Sequence, residues 1–489
     1  MRRYLIPGPG TLLAAAVAVM AALSVYESYD LFFNLASGRY ILTHGFPSAD
    51  PFSLTASGPW FPHEWGFGAL CWLSLTALGG AGPAILCAAL LSVSVLLLWR
   101  LLIVSYGRAG LIPMVLLLLV LGAWMYTFQA QRAYLFGNGL FVLALLILQH
   151  ARRGHQKLLW LFVPLLALWA NLHGSWLVGP VLLASFGAGE ALNNRALDGR
   201  ALLPAGIALL SFAAAAASPG GFSTWAYPLG FLAKPAGGTI WEWSALDLAN
   251  PSAKSLLAMT LLFVFAVGRQ RSFDWRLGLP AAGLLIFTVL AERHGPMAAV
   301  LLGAASAEML AGQQAEKGSR PTGPAVAALS MIDRGLKRWG AGGGLWLLVL
   351  LVTSGLAAWS RPVTLAERMD REVFPVESIQ HLCNQEPGRV LNRYFLGGAI
   401  SALCGPEYKV FIDGRNDLFP QQVHDDYEAL VELRPGWSEI LDEYDPDYLL
   451  WSRFNFGSPL LEVLEIRGGW VVHCEEPAGV LWVRSRTSE

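Results

Sequence analysis

Up to Arg361 the chain alternates apolar runs of about 17–25 residues with short polar connections, and each run is long enough to cross a hydrocarbon core of about 30 Å. The pattern predicts membrane helices near 10–27, 82–105, 110–128, 134–150, 158–170, 174–192, 201–218, 254–268, 277–291, 296–311 and 343–360. The pair 158–170 and 174–192 is short for two crossings and needs tilt or local thinning. GFGALCWLSLTALGG (66–80) is also apolar, but counting it as a crossing breaks the order of the other connections. It is expected to be a broken, re-entrant or interfacial helix lining a protein cavity. Beyond Arg361 the periodicity changes. Strands are predicted at RVLNRY (389–394), YKVFIDG (408–414), DYLLW (447–451), WVVHCEE (470–476) and GVLWVRS (479–485), with helices near 374–384, 419–432 and 457–466 between them. The expected architecture is a multi-pass α-helical membrane bundle of about 11–13 helices, residues 1–361, followed by a compact α/β layer domain, residues 362–489.

Composition agrees with this division. Over 489 residues, 55% are hydrophobic and 14% charged, where a soluble chain carries about a quarter charged residues. The net charge of −1 gives no nucleic-acid signature. MRRYLIPGPG precedes the first apolar run without a clear small-residue cleavage site, so this run reads as an uncleaved first helix.

Charge then orients the helices. Arg2 and Arg3, ARRGHQK (151–157), NNRALDGR (193–200), GRQRSFDWR (268–276) and the segment 316–339 are basic, and the positive-inside rule assigns them to the cytoplasm. Alternation puts NLHGSW (171–176), the segment 219–253, ERHGP (292–296) and the tail outside. The expected location is a bacterial cytoplasmic membrane, N-terminus in and C-terminal domain out. Cys71 and Cys87 read as buried small hydrophobes. Cys383, Cys404 and Cys474 fall in the tail, with no CxxC and no metal spacing; a Cys383–Cys404 disulfide is one option in an oxidising compartment.

Polar residues collect at the outer ends. The first outer loop, 27–65, opens with Glu27 and Asp30, continues through a stretch 29–42 that suits an amphipathic interfacial helix carrying Asn34 and Arg39, and closes with His63, Glu64 and Trp65. Glu27 and Asp30 are either loop or helix-cap residues, or carboxylates able to act as a general base or to bind a metal. Gln129, Gln131 and Arg132 open the span before Tyr134. Asn171 and His173 share a turn, Glu242 lies between Trp241 and Trp243, and Glu292, Arg293 and His294 precede Pro296. Arg132 and Arg293 suit a phosphate or pyrophosphate. Trp60, Trp65, Trp176, Trp225, Trp241 and Trp243 suit interface anchoring and also sugar stacking. The outer carboxylates and His173 could hold a divalent cation, though no spacing demands one. In the tail, Asp413 and Arg415 end a strand; a tight turn with an ion pair and an acceptor-binding site are both readings of them.

These features resemble the GT-C superfamily of integral-membrane glycosyltransferases, which includes protein O-mannosyltransferases, oligosaccharyltransferases and the aminoarabinose transferase of lipid A. The motifs carrying the likeness are YDLFFNLASGRYILTHG…DPFS…HEW, QRAYLFGNGLF, WANLHGSW, EWSALD and VFIDGRNDLF. In place of the family's His after the acid and aromatic pair, this chain has Asn34. The resemblance implies transfer of a sugar, with inversion, from a polyprenyl-phosphate-linked donor to an unidentified glycan, lipid or protein acceptor on the outer face. It casts Asp30, with Glu27 as alternative, as the catalytic acidic residue, His63 and Glu64 as headgroup contacts and Arg132 as the phosphate contact. The competing class is a non-catalytic transporter of lipid-linked glycan or an assembly scaffold. A transporter should show mid-span polar residues and repeat symmetry, and the sequence shows neither.

Overall fold

The computed structural model of the protein describes residues 8–125, 131–233, 245–270, 272–316, 331, 333–334, 363–416, 418–453 and 459–485. The predicted span 343–360 and the candidate Glu242 lie outside these residues. Two compact units form. One contains Met1–Leu23, Cys87–Gln129 and Ala133–Ala358; the other contains Ser24–Leu86, Ala130–Arg132 and Trp359–Glu489. The loop 27–65 and the C-terminal region therefore share a unit.

The first unit is a multi-pass helical membrane bundle. Its helices are α1 (Pro9–Leu23), and later α5 (Leu111–Ala123), α6 (Tyr134–Arg152), α7 (Phe162–Leu172), α8 (Val178–Asn194), α9 (Gly199–Ala214), α10 (Ser223–Ala233), α11 (Pro251–Gly268), α12 (Trp275–Leu290) and α13 (Gly295–Glu316). α4 (Gly82–Tyr106) begins in the second unit and continues into this one. Every predicted span but 343–360 falls on a helix. Trp65–Tyr106, Tyr134–Arg152, Gly174–Asn194 and Pro251–Gly268 are long and apolar enough to cross a bilayer, while α1, α5, α9 and α12 are shorter apolar helices that require local thinning.

One end of this bundle is tied by charge. Arg152, at the end of α6, donates to both Glu308 carboxylate oxygens on α13 at 2.5 and 2.6 Å and to Asp274 at 2.5 Å. Asp274 caps α12, accepting from the Arg276 backbone N–H, and also takes Asn193 of α8 at 2.8 Å and the Arg276 guanidinium at 2.7 Å. Arg276 reaches Glu190 of α8 at 3.3 Å. Four helices thus meet on two cations and three carboxylates.

The second unit builds the C-terminal sheet and its cover. Strands β1 (Arg389–Asn392), β2 (Lys409–Val410), β3 (Tyr448–Ser452), β4 (Trp470–Glu476) and β5 (Gly479–Arg484) form one sheet in the order β2-β1-β3-β5-β4. β1 runs parallel to β2 and β3; β5 is antiparallel to both β3 and β4. Helices α15 (Val376–Cys383), α16 (Gly397–Cys404), α17 (Gln421–Glu432), α18 (Trp437–Tyr444) and α19 (Pro459–Arg467) connect and cover the strands, after a single capped turn, α14 (Leu365–Arg368). A disulfide joins Cys383 to Cys404, fixing the ends of α15 and α16 together. All five expected strands are present, but β2 is only two residues long because the chain leaves the sheet at Phe411 to make the turn described below.

The same unit holds α2 (Tyr29–His44) and α3 (Trp65–Leu78). The expected amphipathic stretch is a helix, but it is not a one-sided one. Asn34, Ser37 and Gly38 are buried together with Leu31, Phe32, Leu35 and Ile41. A carbon added at Gly38 would strike the Gly68 carbonyl, so α2 and α3 meet backbone to backbone. Across α2 from this contact, Gly398 of α16 abuts Tyr29 and Phe33. Residues 52–54 pair along the free edge of β2, with Leu54 N–H donating to Val410 at 3.0 Å and Val410 N–H to Phe52 at 3.0 Å. The loop so covers a strand edge that would otherwise present unpaired backbone.

Arg152→Leu leaves Glu308 without its cation and Asp274 with Arg276 alone, and is expected to cost about 1–3 kcal/mol, read as a lower melting temperature in detergent; an unchanged melting temperature would refute the tie.

Candidate functional site

Asp30 lies in the first turn of α2, where a carboxylate complements the helix dipole. Arg132 Nε donates to Asp30 Oδ2, with the two side chains 28% and 13% exposed. The sequence singles out each residue, and the fold makes them an ion pair across 102 positions of chain. One turn on, Asn34 donates to the Asp30 carbonyl at 3.0 Å and to Glu64 Oε2 at 3.3 Å. Glu64 sits just ahead of α3, and His63 Nε2 lies 3.8 Å from its other oxygen. Asp30, Arg132, Glu64 and His63 are thus linked through Asn34, which stands where the resemblance led to a histidine.

A wall of the C-terminal region closes on Asp30. After β2 the chain turns through Asp413-Gly414-Arg415-Asn416. A carbon added at Gly414 would lie 2.9 Å from the Tyr29 ring and 3.4 Å from Asp30 Oδ1. Tyr394 stacks edge-on against Tyr29 at 5.8 Å, and its hydroxyl accepts from Asn416 Nδ2 at 2.6 Å. Burial, then the neighbouring Tyr29, Asp30 and Asp413, push the Tyr394 phenol far above its usual range. It therefore remains an O–H donor at any physiological pH. Sequence reasoning missed Tyr394 and Gly414 as neighbours of Asp30, and Asn416 as the partner of Tyr394.

Asp413 and Arg415, expected as acceptor contacts, are buried within the protein. Arg415 is 6% exposed. Its Nε and Nη2 donate to Asp413 at 2.9 and 2.5 Å, its Nη1 to Asp50 at 2.6 Å, and its plane lies over Trp60 at 4.6 Å and Phe52 at 5.4 Å. Burial alone would lower its pKa, but the Asp413 and Asp50 carboxylates outweigh this and raise it. These donors are committed inside the fold, so the pair positions the turn. Glu27 is exposed. Arg39, exposed near the far end of α2, stacks on Trp72 at 5.3 Å rather than joining Asp30.

The remaining candidates belong to the membrane bundle. Asn171 donates to the Ala167 and Ala217 carbonyls at 2.7 and 3.0 Å. His173 is buried; its Nδ1 accepts from the Ser175 backbone N–H at 3.2 Å and lies 2.7 Å from Ser175 Oγ, which in turn accepts from Trp169. That acceptor role places the proton of the neutral ring on Nε2. Tyr134 packs edge-on against the His173 ring at 5.6 Å and donates to the Arg293 carbonyl at 2.8 Å. Burial, reinforced by Arg293, pushes the half-buried His294 down to about 4. Asn250 and Ser252 donate to Glu292.

Of the outer carboxylates that could hold a divalent cation with His173, Glu242 lies outside the described residues. Among the described residues no three His, Cys, Asp or Glu side chains converge. Arg132 occupies Asp30, Asn34 occupies Glu64, and Ser175 occupies His173 Nδ1.

The arrangement of a helical bundle followed by a C-terminal mixed-sheet domain is shared, at low sequence identity, with solved membrane glycosyltransferases. The apo structure of ArnT from Cupriavidus metallidurans superposes with a TM-score of 0.54 at 11% identity, covering 96% of this chain and 96% of that one. The same enzyme bound to undecaprenyl phosphate gives 0.50 at 12% identity, covering 96% and 97%. The archaeal oligosaccharyltransferase AglB from Archaeoglobus fulgidus, in complex with an inhibitory peptide and a dolichol-phosphate, gives 0.53 at 12% identity, covering 98% and 74%. No family model and no curated protein matches the sequence.

Two tests follow from this geometry. Gly414→Val is expected to lower the melting temperature by pressing on Tyr29, and Tyr29→Ala to restore part of the loss; a double-mutant cycle should give a coupling of about 0.5–3 kcal/mol, and strict additivity would remove the contact. His294 is neutral when folded down to about pH 4 but protonates near 6.5 when unfolded. The folded state thus binds fewer protons between these values, and stability falls on acidification from 6.5 to 4 by up to about 1.4 kcal/mol per pH unit. His294→Gln should flatten that part of a melting-temperature profile; an unaltered slope would exclude His294 as its source.

Proposed function

We propose that this chain is a membrane glycosyltransferase that moves a sugar from a polyprenyl-phosphate-linked donor to an acceptor hydroxyl. The observation that carries the reading is the Asp30–Arg132 pair, enclosed by Gly414 and Tyr394. A carboxylate and a cation side by side match the two demands of the reaction. Asp30 accepts the proton of the acceptor hydroxyl as its oxygen attacks the anomeric carbon. The bond from that carbon to the phosphate oxygen breaks in line, and the configuration inverts. The polyprenyl phosphate leaves with the bonding electrons, and Arg132 offsets the charge that develops on it. Arg132 also lets an anionic phosphate approach Asp30, which unscreened would repel it. Asn34, Glu64 and His63 hold the first turn of α2 in place and supply polar contacts to the headgroup. No step is routed through a divalent cation.

The same reading sets the C-terminal domain outside the cytoplasmic membrane of a bacterium. Basic residues concentrate in the connections assigned to the cytoplasm, and the Cys383–Cys404 disulfide belongs in an oxidising compartment.

The test uses the full chain in nanodiscs with undecaprenyl-phosphate-linked sugars and envelope extract, following the loss of sugar-bearing lipid by mass spectrometry. Asp30→Asn should slow transfer by about 10²–10⁴-fold in a protein that still melts cooperatively, and Arg132→Met should weaken donor use. Full turnover by a folded Asp30→Asn protein would sink the assignment.

A further inference from the structure

Asn138 lies five residues into α6, on the helix that directly follows Arg132 in the chain. It is 2% exposed, and neither its Nδ2 nor its Oδ1 has a hydrogen-bond partner. Asn138 shares a helix face with Tyr134, one turn or about 6 Å away. Its neighbour Gly137 opens directly onto Ser175 and His173, where a side-chain carbon would lie 2.7 Å from Ser175 Oγ and 2.9 Å from His173 Nδ1. Deeper along α6, Phe141, Val142 and Leu145 are fully buried. Asn138 thus directly follows a residue in contact with His173 and Ser175 and precedes the buried apolar side chains of the helix.

A buried carboxamide with both atoms orphaned is costly, and native structures retain such groups where a ligand or an ordered water completes them. The other buried amides of the bundle behave differently: Gln149 donates to Ser105 and Glu308. What completes Asn138 must offer both a donor to Oδ1 and an acceptor to Nδ2. An ionised phosphate only accepts and leaves Oδ1 unmet; an isoprenoid chain offers neither. A sugar hydroxyl, or a pair of adjacent ones, supplies both. From this we infer that Asn138 is a sugar-binding residue, recognising the hydroxyls of the lipid-linked donor, and so a determinant of which sugar is taken. The inference rests on the glycosyltransferase reading above.

Binding by the full-length protein in nanodiscs is measured for undecaprenyl phosphate and for undecaprenyl phosphate glucose, mannose and galactose, alongside the melting temperature of the lipid-free protein. In the wild type at least one sugar-bearing lipid should bind about tenfold tighter than undecaprenyl phosphate. Asn138→Leu should abolish that preference, keep the affinity for undecaprenyl phosphate, and melt no lower than wild type, because it removes an unpaired amide. Asn138→Ser, which keeps a single small hydroxyl, should lose most of the preference and serves if the leucine variant does not fold. A variant that retains the sugar preference, or melts lower with the preference intact, would show that Asn138 holds a structural water and overturn the inference. A wild type that binds all four lipids alike also overturns it, while leaving lipid-carrier recognition standing. A wild type that binds none of the four removes the glycosyltransferase reading itself.

Discussion

The guanidinium of Arg415, buried between Asp413 and Asp50 and held against Trp60 and Phe52, is the constraint on which the rest of the second unit depends. A buried cation is tolerated only when paired and hydrogen-bonded, and removing one partner strands the charge. Asp413 comes from the end of the sheet region and Asp50 from the loop 27–65. The pairing is therefore met only when the loop lies along β2. Once it does, Thr55 donates to the Phe411 carbonyl and Lys409 to the Pro51 carbonyl at 2.6 Å. The strand edge is covered, and the turn carrying Gly414 is fixed.

That turn matters because of what α2 packs against. Contacts on α2 are made by backbone as much as by side chains, at Gly38–Gly68 on one flank and Gly398 on the other. Helices that approach through glycine have little freedom to slide, since any shift brings main chain into main chain. Asp30 inherits this fixity from the first turn of α2. Tyr26 continues it upstream: it is fully buried, its hydroxyl donates to the Gly80 carbonyl at 2.5 Å, and its backbone pairs with Arg368 and Asp370. A carboxylate held so firmly suits chemistry in which the proton acceptor must already be in place when the hydroxyl arrives.

The sequence was informative wherever one physical variable dominated. Apolar length located the membrane helices, and the costliness of charge at a membrane edge drew attention to Asp30, Glu64 and Arg132. It was silent on pairing, because Arg132 meets Asp30 across 102 residues and no local pattern encodes that distance. Asp50 sits in a loop rich in Pro, Ser and Asp and looks no different from its solvated neighbours until Arg415 is placed. The stretch 29–42 misled for a definite reason. Hydropathy reads Asn34, Ser37 and Gly38 as a solvent face, yet small residues are buried by close backbone approach and Asn34 by hydrogen bonding to Glu64. Arg39 was drawn in by charge alone, and its cation–π contact with Trp72 uses the guanidinium elsewhere.

Buried polarity in the membrane bundle separates structure from function more sharply than residue type does. Arg152, Asp274, Arg276, Glu190 and Glu308 are all ionisable, and each has a partner within the network. A group closed upon itself joins helices but offers little to a ligand, so its charge is no sign of a binding site. Asn138 is uncharged and passes unnoticed in an apolar helix, yet its amide is open on both sides. Low dielectric surroundings strengthen a satisfied network and penalise an unsatisfied group by the same mechanism. Selection for stability alone would replace such an amide with leucine. Its presence, unpaired beside residues whose own polar groups are matched, is the kind of local inconsistency that function leaves in a fold.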